Sequence, residues 1–148
     1  MMMKQLDILL VEDNESDAEL VMHALKKNKI NNNIIHVLDG AEALDYVFAK
    51  GNYAANTDRV HTLKVILLDI KMPKVGGLEV LSKLKADNRT KTIPIVMLTS
   101  SSEDQDVEKS YMLGANSYIV KPVDYGDFTD AIEQLEKYWL LRNRTIIT

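Results

Sequence analysis

The sequence predicts an alternating α/β fold, a doubly wound sandwich of five parallel strands and five helices. Two observations carry that prediction. Apolar runs of strand length recur along the chain, and amphipathic stretches of helical period separate them. Four of these runs also stop abruptly on polar side chains: Glu12-Asp13, Asp69, Thr99 and Lys121. In an open parallel sheet, ligands bind outside the carboxyl ends of the strands, so these groups are expected along one rim.

The first strand spans Leu6 to Val11. After Glu12 to Glu15, Ser16-Asp17-Ala18-Glu19 has the Ser-x-x-Glu pattern of a capping box. A helix is expected from there, with Leu20, Val21, Ala24 and Leu25 on its apolar face. The Asn-rich stretch Asn28 to Asn33 reads as a loop before a second strand, Ile34 to Leu38. Asp39-Gly40 is turn chemistry. Ala41, Leu44, Val47 and Phe48 mark a second helix that Gly51 is expected to stop. Gly51 to Thr62 shows no clean period and is read as a long loop.

The central strand, Val65 to Leu68, is apolar without interruption, as for a strand buried on both faces. Pro73 and Gly76-Gly77 forbid regular structure until a third helix at Leu78, Leu81 and Leu84, ending near Asp87-Asn88. The fourth strand is expected from about Pro94 to Thr99. Ser102-Glu103-Asp104-Gln105 forms a second capping-box pattern, and Gly114 ends the helix that it opens. A fifth strand, about Ser117 to Val120, leads to Lys121-Pro122. Asp124 is placed to cap a last helix whose core face is Phe128, Ala131, Ile132, Leu135 and Trp139.

The whole of 1–148 reads as one domain, with its core at about 6–141 and a tail at 142–148. A net charge of −4 argues against direct binding of nucleic acid, which needs a basic surface. The absence of cysteine excludes disulfide and thiol chemistry. No apolar run approaches the ~20 residues of a membrane span, and the first residues lack a signal-peptide core. No membrane partner is expected, and a cytoplasmic location is.

Glu12, Asp13 and Asp69 carry the chemistry if the rim brings them together. Two unit charges ~4 Å apart repel by ~4 kcal/mol at an effective dielectric of ~20, so three carboxylates gather only around a proton or a cation. An all-oxygen donor set without His or Cys selects a hard divalent ion such as Mg²⁺. With Thr99 and Lys121 beside them, the set suits phosphoryl transfer, with Asp69 as the nucleophile. Taken singly, Thr99 reads first as a helix cap, while Lys121 can also be read as a surface lysine and Glu12 and Asp13 as loop residues. The combination favours the site.

Val11-Glu12-Asp13-Asn14, Leu68-Asp69-Ile70-Lys71-Met72-Pro73 with Gly77, Leu98-Thr99-Ser100, Gly114-Ala115 and Val120-Lys121-Pro122 follow in an order and spacing that resemble the receiver domain of two-component response regulators. The resemblance covers about Leu6 to Leu141. It implies a flavodoxin-like sheet of order 2-1-3-4-5 and a phosphoryl group carried from a sensor histidine kinase onto Asp69. It further implies Mg²⁺ (with Mn²⁺ or Ca²⁺ able to substitute in crystals) on Asp13, Asp69 and the Lys71 backbone carbonyl, with Glu12 helping through water. Thr99 and Ser100 would meet the phosphoryl group with Lys121, Tyr118 would switch with Thr99, and the peptide before Pro122 would be cis.

Within the family, the sequence is most similar to single-domain regulators paired with phytochrome-type kinases. Tyr138, Trp139, Leu140 and Leu141 exceed one core-facing stripe, which allows two readings: a homodimer through the fourth helix, fifth strand and fifth helix, or Trp139 packed inward with the others scattered on the surface. No turnover enzyme is expected beyond self-phosphorylation from a phosphodonor and slow autodephosphorylation. Two other readings stand beside the switch. One is a receiver-like interaction domain that takes no phosphate. The other is an aspartyl-nucleophile phosphatase, which would place an acid where Lys71 stands.

Overall fold

The computed structural model describes residues 6–27, 32–55, 62–100, 103–121, 130, 133 and 134. Five strands are present: β1 (Leu6–Val11), β2 (Asn32–Val37), β3 (Leu63–Leu68), β4 (Ile95–Thr99) and β5 (Ser117–Val120). They form one parallel sheet in the order β2-β1-β3-β4-β5. Between them lie the helices α1 (Glu15–Lys27), α2 (Gly40–Phe48), α3 (Gly77–Ala86) and α4 (Asp104–Met112). Asp130, Glu133 and Gln134 are helical too. The rest of the expected fifth helix, the cis peptide at Pro122, the Tyr138–Leu141 dimer face and the tail lie outside the described residues.

Strand side chains alternate between the two faces of a sheet, and each face here has its own core. Leu9, Val11, Ile66 and Leu68 pack with Ala43, Tyr46 and Val47 of α2 and Val80, Leu81 and Leu84 of α3. Ile8, Leu10, Val65 and Leu67 pack on the opposite face with Ala18, Val21, Ala24 and Leu25 of α1. The even apolar run of β3 is explained by this double cover, since all of its residues except Lys64 are buried. Helix α4 differs, with Ser110 alone fully buried, and Tyr111 and Met112 remain exposed.

Several local expectations need correction. The cap of α1 is Asn14, whose Oδ1 accepts the Asp17 N–H at 3.0 Å, so Ser16 lies inside the first turn. Asp39 does not make a free turn. Its Oδ1 accepts the Glu42 N–H at 2.8 Å and caps α2, and Gly40 is the first helical residue. Asn32 and Asn33 belong to β2, which ends at Val37. Helix α2 stops at Ala49, in the left-handed region at φ 54°, before Gly51 is reached. Gly51 instead opens a short 3-10 turn, Gly51–Tyr53, that folds back on α2. There the Tyr53 hydroxyl donates to Glu42 Oε2 at 2.7 Å, and its ring meets Tyr46 edge-on. The N-cap of α4 is Glu103, which makes no side-chain capping bond; Ser102 lies outside the described residues.

The turn from β3 into α3 is unusually tight. Gly77 N–H donates to the Ile70 carbonyl at 2.8 Å, and a Cβ at position 77 would stand 1.9 Å from the Asp69 carbonyl oxygen. Only glycine permits this approach, which seats the first turn of α3 directly on the backbone of Asp69. At the other end of the sheet, Gly114 leaves α4 with φ 108°.

Candidate functional site

The sheet order places β1 beside both β2 and β3, and the connections leave β1 and β3 toward opposite faces. A crevice opens at that switch point, outside the carboxyl ends of the two strands. Glu12 and Asp13 emerge there from β1 and Asp69 from β3. One carboxylate oxygen of each lies within 4.8 Å of the others, so three anions share a space that could hold a metal ion. Glu12 and Asp69 are buried and Asp13 is exposed. Two buried carboxylates and one exposed carboxylate at this separation fit a hard divalent cation by charge and by donor type.

Glu12 is fixed on every side. Its N–H continues the β1–β2 ladder to the Val37 carbonyl at 3.1 Å. Its carbonyl lies 2.8 Å from His36 Nε2, and a carbonyl oxygen can only accept, so this nitrogen carries the proton. Oε1 accepts the Asn14 N–H at 3.1 Å, and Oε2 accepts from Lys121 at 2.6 Å. Burial pushes the Glu12 carboxyl up to about 7, against the hydrogen bond from Lys121, and the Asp69 charge adds to the rise. Asp69 Oδ1 accepts the Ile70 N–H at 2.7 Å.

Lys121 leaves the end of β5 and reaches across the rim. Its Nζ stands 2.6 Å from Glu12 Oε2, 3.0 Å from Asp17 Oδ2 and 3.3 Å from Asp69 Oδ2. Its side chain is only 7% exposed. Burial alone would lower this ammonium's pKa, but the bond to Glu12 and the charge of Asp69 outweigh it and hold the group above the ordinary lysine value. Of the residues singled out in the sequence, Glu12, Asp13, Asp69 and Lys121 therefore converge.

Thr99 is buried at the end of β4, and its carbonyl accepts the Lys121 N–H at 2.7 Å. Tyr118 sits half-buried on β5, paired in register with Met97. Ser100 and Lys71 are exposed on the loops that follow β4 and β3. Two contributors were missed in the sequence, Asp17 and His36. Asp17 could have been found from the acidic run 12–17 only by fixing the phase of α1, which the cap at Asn14 decides. His36 carried no signal, since its partner is a backbone carbonyl.

A protein-family model, the response regulator receiver domain, matches residues 8–133. The response regulator Rcp1 of Synechocystis sp. is 38% identical over 133 residues, covering 90% of this chain and 88% of Rcp1. The Mn²⁺-bound form of Rcp1 superposes with a TM-score of 0.87 at 36% identity, covering 94% and 97% of the two chains. The phosphorylated cyanobacterial phytochrome response regulator RcpA gives a TM-score of 0.89 at 35% identity, with 96% and 99% covered. The bacteriophytochrome response regulator AtBRR is 46% identical with a TM-score of 0.75, covering 96% of this chain and all of that one (100%). Among the described residues, no helix is long and apolar enough to cross a membrane.

Proposed function

This chain belongs to the response regulator receiver family and is a phosphoacceptor response regulator, and we propose that Asp69 is its acceptor. The observation that carries the assignment is the reach of Lys121, which ties Glu12 of one strand end to Asp69 of another inside a three-carboxylate cluster. Nothing in folding calls for that arrangement, because clustered carboxylates repel.

In the reaction, an Asp69 carboxylate oxygen attacks the phosphorus of a kinase phosphohistidine. The P–N bond breaks, the imidazole nitrogen takes up a proton, and the product is an aspartyl phosphate. Lys121 donates to a phosphoryl oxygen and offsets its charge, and the Thr99 and Ser100 groups meet the same oxygens. Glu12, Asp13, Asp69 and the Lys71 carbonyl would hold Mg²⁺, which supplies further charge neutralisation when bound. The Mn²⁺-bound form of Rcp1 supports a divalent ion in this role. Thr99 moving toward the phosphoryl group and Tyr118 following it would shift the population between two packings, and partner contacts change with that balance.

The likeness to the phytochrome response regulators RcpA and AtBRR supports a phytochrome-type sensor kinase as donor, and in this reading residues 6–141 act as one receiver unit in the cytoplasm. The cluster speaks against a receiver that takes no phosphate, and Lys71, two residues past Asp69, speaks against an aspartyl phosphatase. The test is incubation with acetyl phosphate and Mg²⁺, read by intact mass. Wild type is expected to gain one phosphoryl group and Asp69→Asn none. Label on Asp69→Asn would place the acceptor elsewhere.

A further inference from the structure

An ammonium has three N–H donors, and at Lys121 three carboxylates take them: Glu12, Asp17 and Asp69. A phosphoryl oxygen arriving at Asp69 can bond Lys121 only if one of these partners lets go. Which one yields is decided by solvation. The Glu12 side chain is 2% exposed and holds the shortest bond, so water cannot replace the lysine there. The Asp17 side chain is 36% exposed, at the outer edge of the cluster, where water can take the vacated position. Asp69 is itself the group being modified.

We propose that Asp17 is a positioning residue, the releasable partner that holds Lys121 on the α1 side of the site until phosphoryl transfer draws the ammonium away. Asp17 does not touch the reacting atoms; it acts by competing for Lys121. The phase of α1 puts it there, because the cap at Asn14 makes Asp17 the third residue of the helix, with its N–H on the cap. The competition is a restraint. Weakening it speeds capture of the phosphoryl group, and the gain is set by a half-exposed ion pair.

The inference rests on Asp69 as acceptor, and the experiment separates the two. Labelling by acetyl phosphate is followed at saturating Mg²⁺ in wild type, Asp17→Ala, Asp17→Asn, Asp17→Glu and Glu15→Gln. Asp17→Ala is expected to label about threefold to fivefold faster than wild type, the size of one partly exposed ion pair. Asp17→Asn, which keeps an acceptor oxygen, falls between, and Asp17→Glu restores the slow rate. Glu15→Gln removes the same charge from the same exposed helix turn and stays within about twofold of wild type. Equal rates in wild type and Asp17→Ala, or an equal acceleration in Glu15→Gln, would overturn the role of Asp17. A wild-type chain that takes no label would instead bring down the acceptor assignment, and this inference with it.

Discussion

Two half-buried or buried lysines close the two ends of this sheet, and they are used in opposite ways. Lys121, at the carboxyl end, faces three carboxylates. Lys85 of α3 works at the amino end, where its Nζ donates to the Lys91 carbonyl at 3.1 Å, the Ile93 carbonyl at 2.9 Å and Asn116 Oδ1 at 3.2 Å. Asn116 Oδ1 also accepts the Ile95 N–H, so one ammonium and one amide stitch α3 to the starts of β4 and β5. Burial holds Lys85 below the ordinary lysine value, with no anion among the described residues to reverse it, and Lys121 is held above. The same side chain is a structural strut among neutral carbonyls and a chemical group among charged ones. Each lysine holds one end of the sheet, and its partners there decide how it is used.

Two glycines offer the hardest blow to each end. Gly77→Ala drives a methyl into the Asp69 carbonyl, and neither group can retreat, so a loss of roughly 3 kcal/mol or more is expected in denaturant unfolding. Gly114→Ala at the other end meets the flexible stem of Lys85 and strains a φ of 108°, for a loss of about 1–2 kcal/mol. A reversal of that order would mean that the carboxyl end has slack the geometry does not show.

The lysines themselves sharpen the contrast. Lys121→Met should reduce acetyl phosphate labelling by about 100-fold, as for loss of a donor to developing charge. Its stability should also fall without metal, because Glu12 loses its buried partner, and recover in part with millimolar Mg²⁺. Lys85→Met should lose about 2 kcal/mol by leaving carbonyls unpaired, with no recovery on adding Mg²⁺ and no change in labelling per folded molecule. If Mg²⁺ rescues both variants or neither, the two ends are not functionally distinct.

A further effect is in pH. Folded Glu12 titrates at about 7 and an unfolded glutamate at 4.5, so between these values the folded state keeps a proton that the unfolded chain has released. Stability of the metal-free protein therefore falls as pH rises through that window and levels off above it. Glu12→Gln should flatten the slope, as seen in thermal midpoints measured from about pH 4 to 8, a range that brackets the window.

How much of this was legible beforehand follows from what each residue answers to. Asp69, Glu12, Asp13 and Lys121 terminate apolar runs, and parallel topology gathers strand ends, so the core of the site could be read from pattern alone. The start of α1 could not. Asn14 and Ser16 are both competent caps, and the choice between them turns the helix by two residues. That choice decides whether Asp17 points at Lys121 or elsewhere, so a small ambiguity in capping hid a member of the site. Lys85 was invisible for a different reason: two of its three partners are main-chain carbonyls, which every residue type supplies. The stop of α2 was misread because glycine is the usual left-handed residue, yet Ala49 takes that conformation here, held by the Asp45 and Tyr46 carbonyls.

An open sheet of five strands has two borders, β2 and β5, and both are poor templates for another chain. β2 opens on Asn32 and Asn33, and β5 is only four residues long. A long apolar border would recruit further strands and grow into aggregates. Here the main chain offers little to extend, so any contact with another chain is left to side chains, where sequence can specify it.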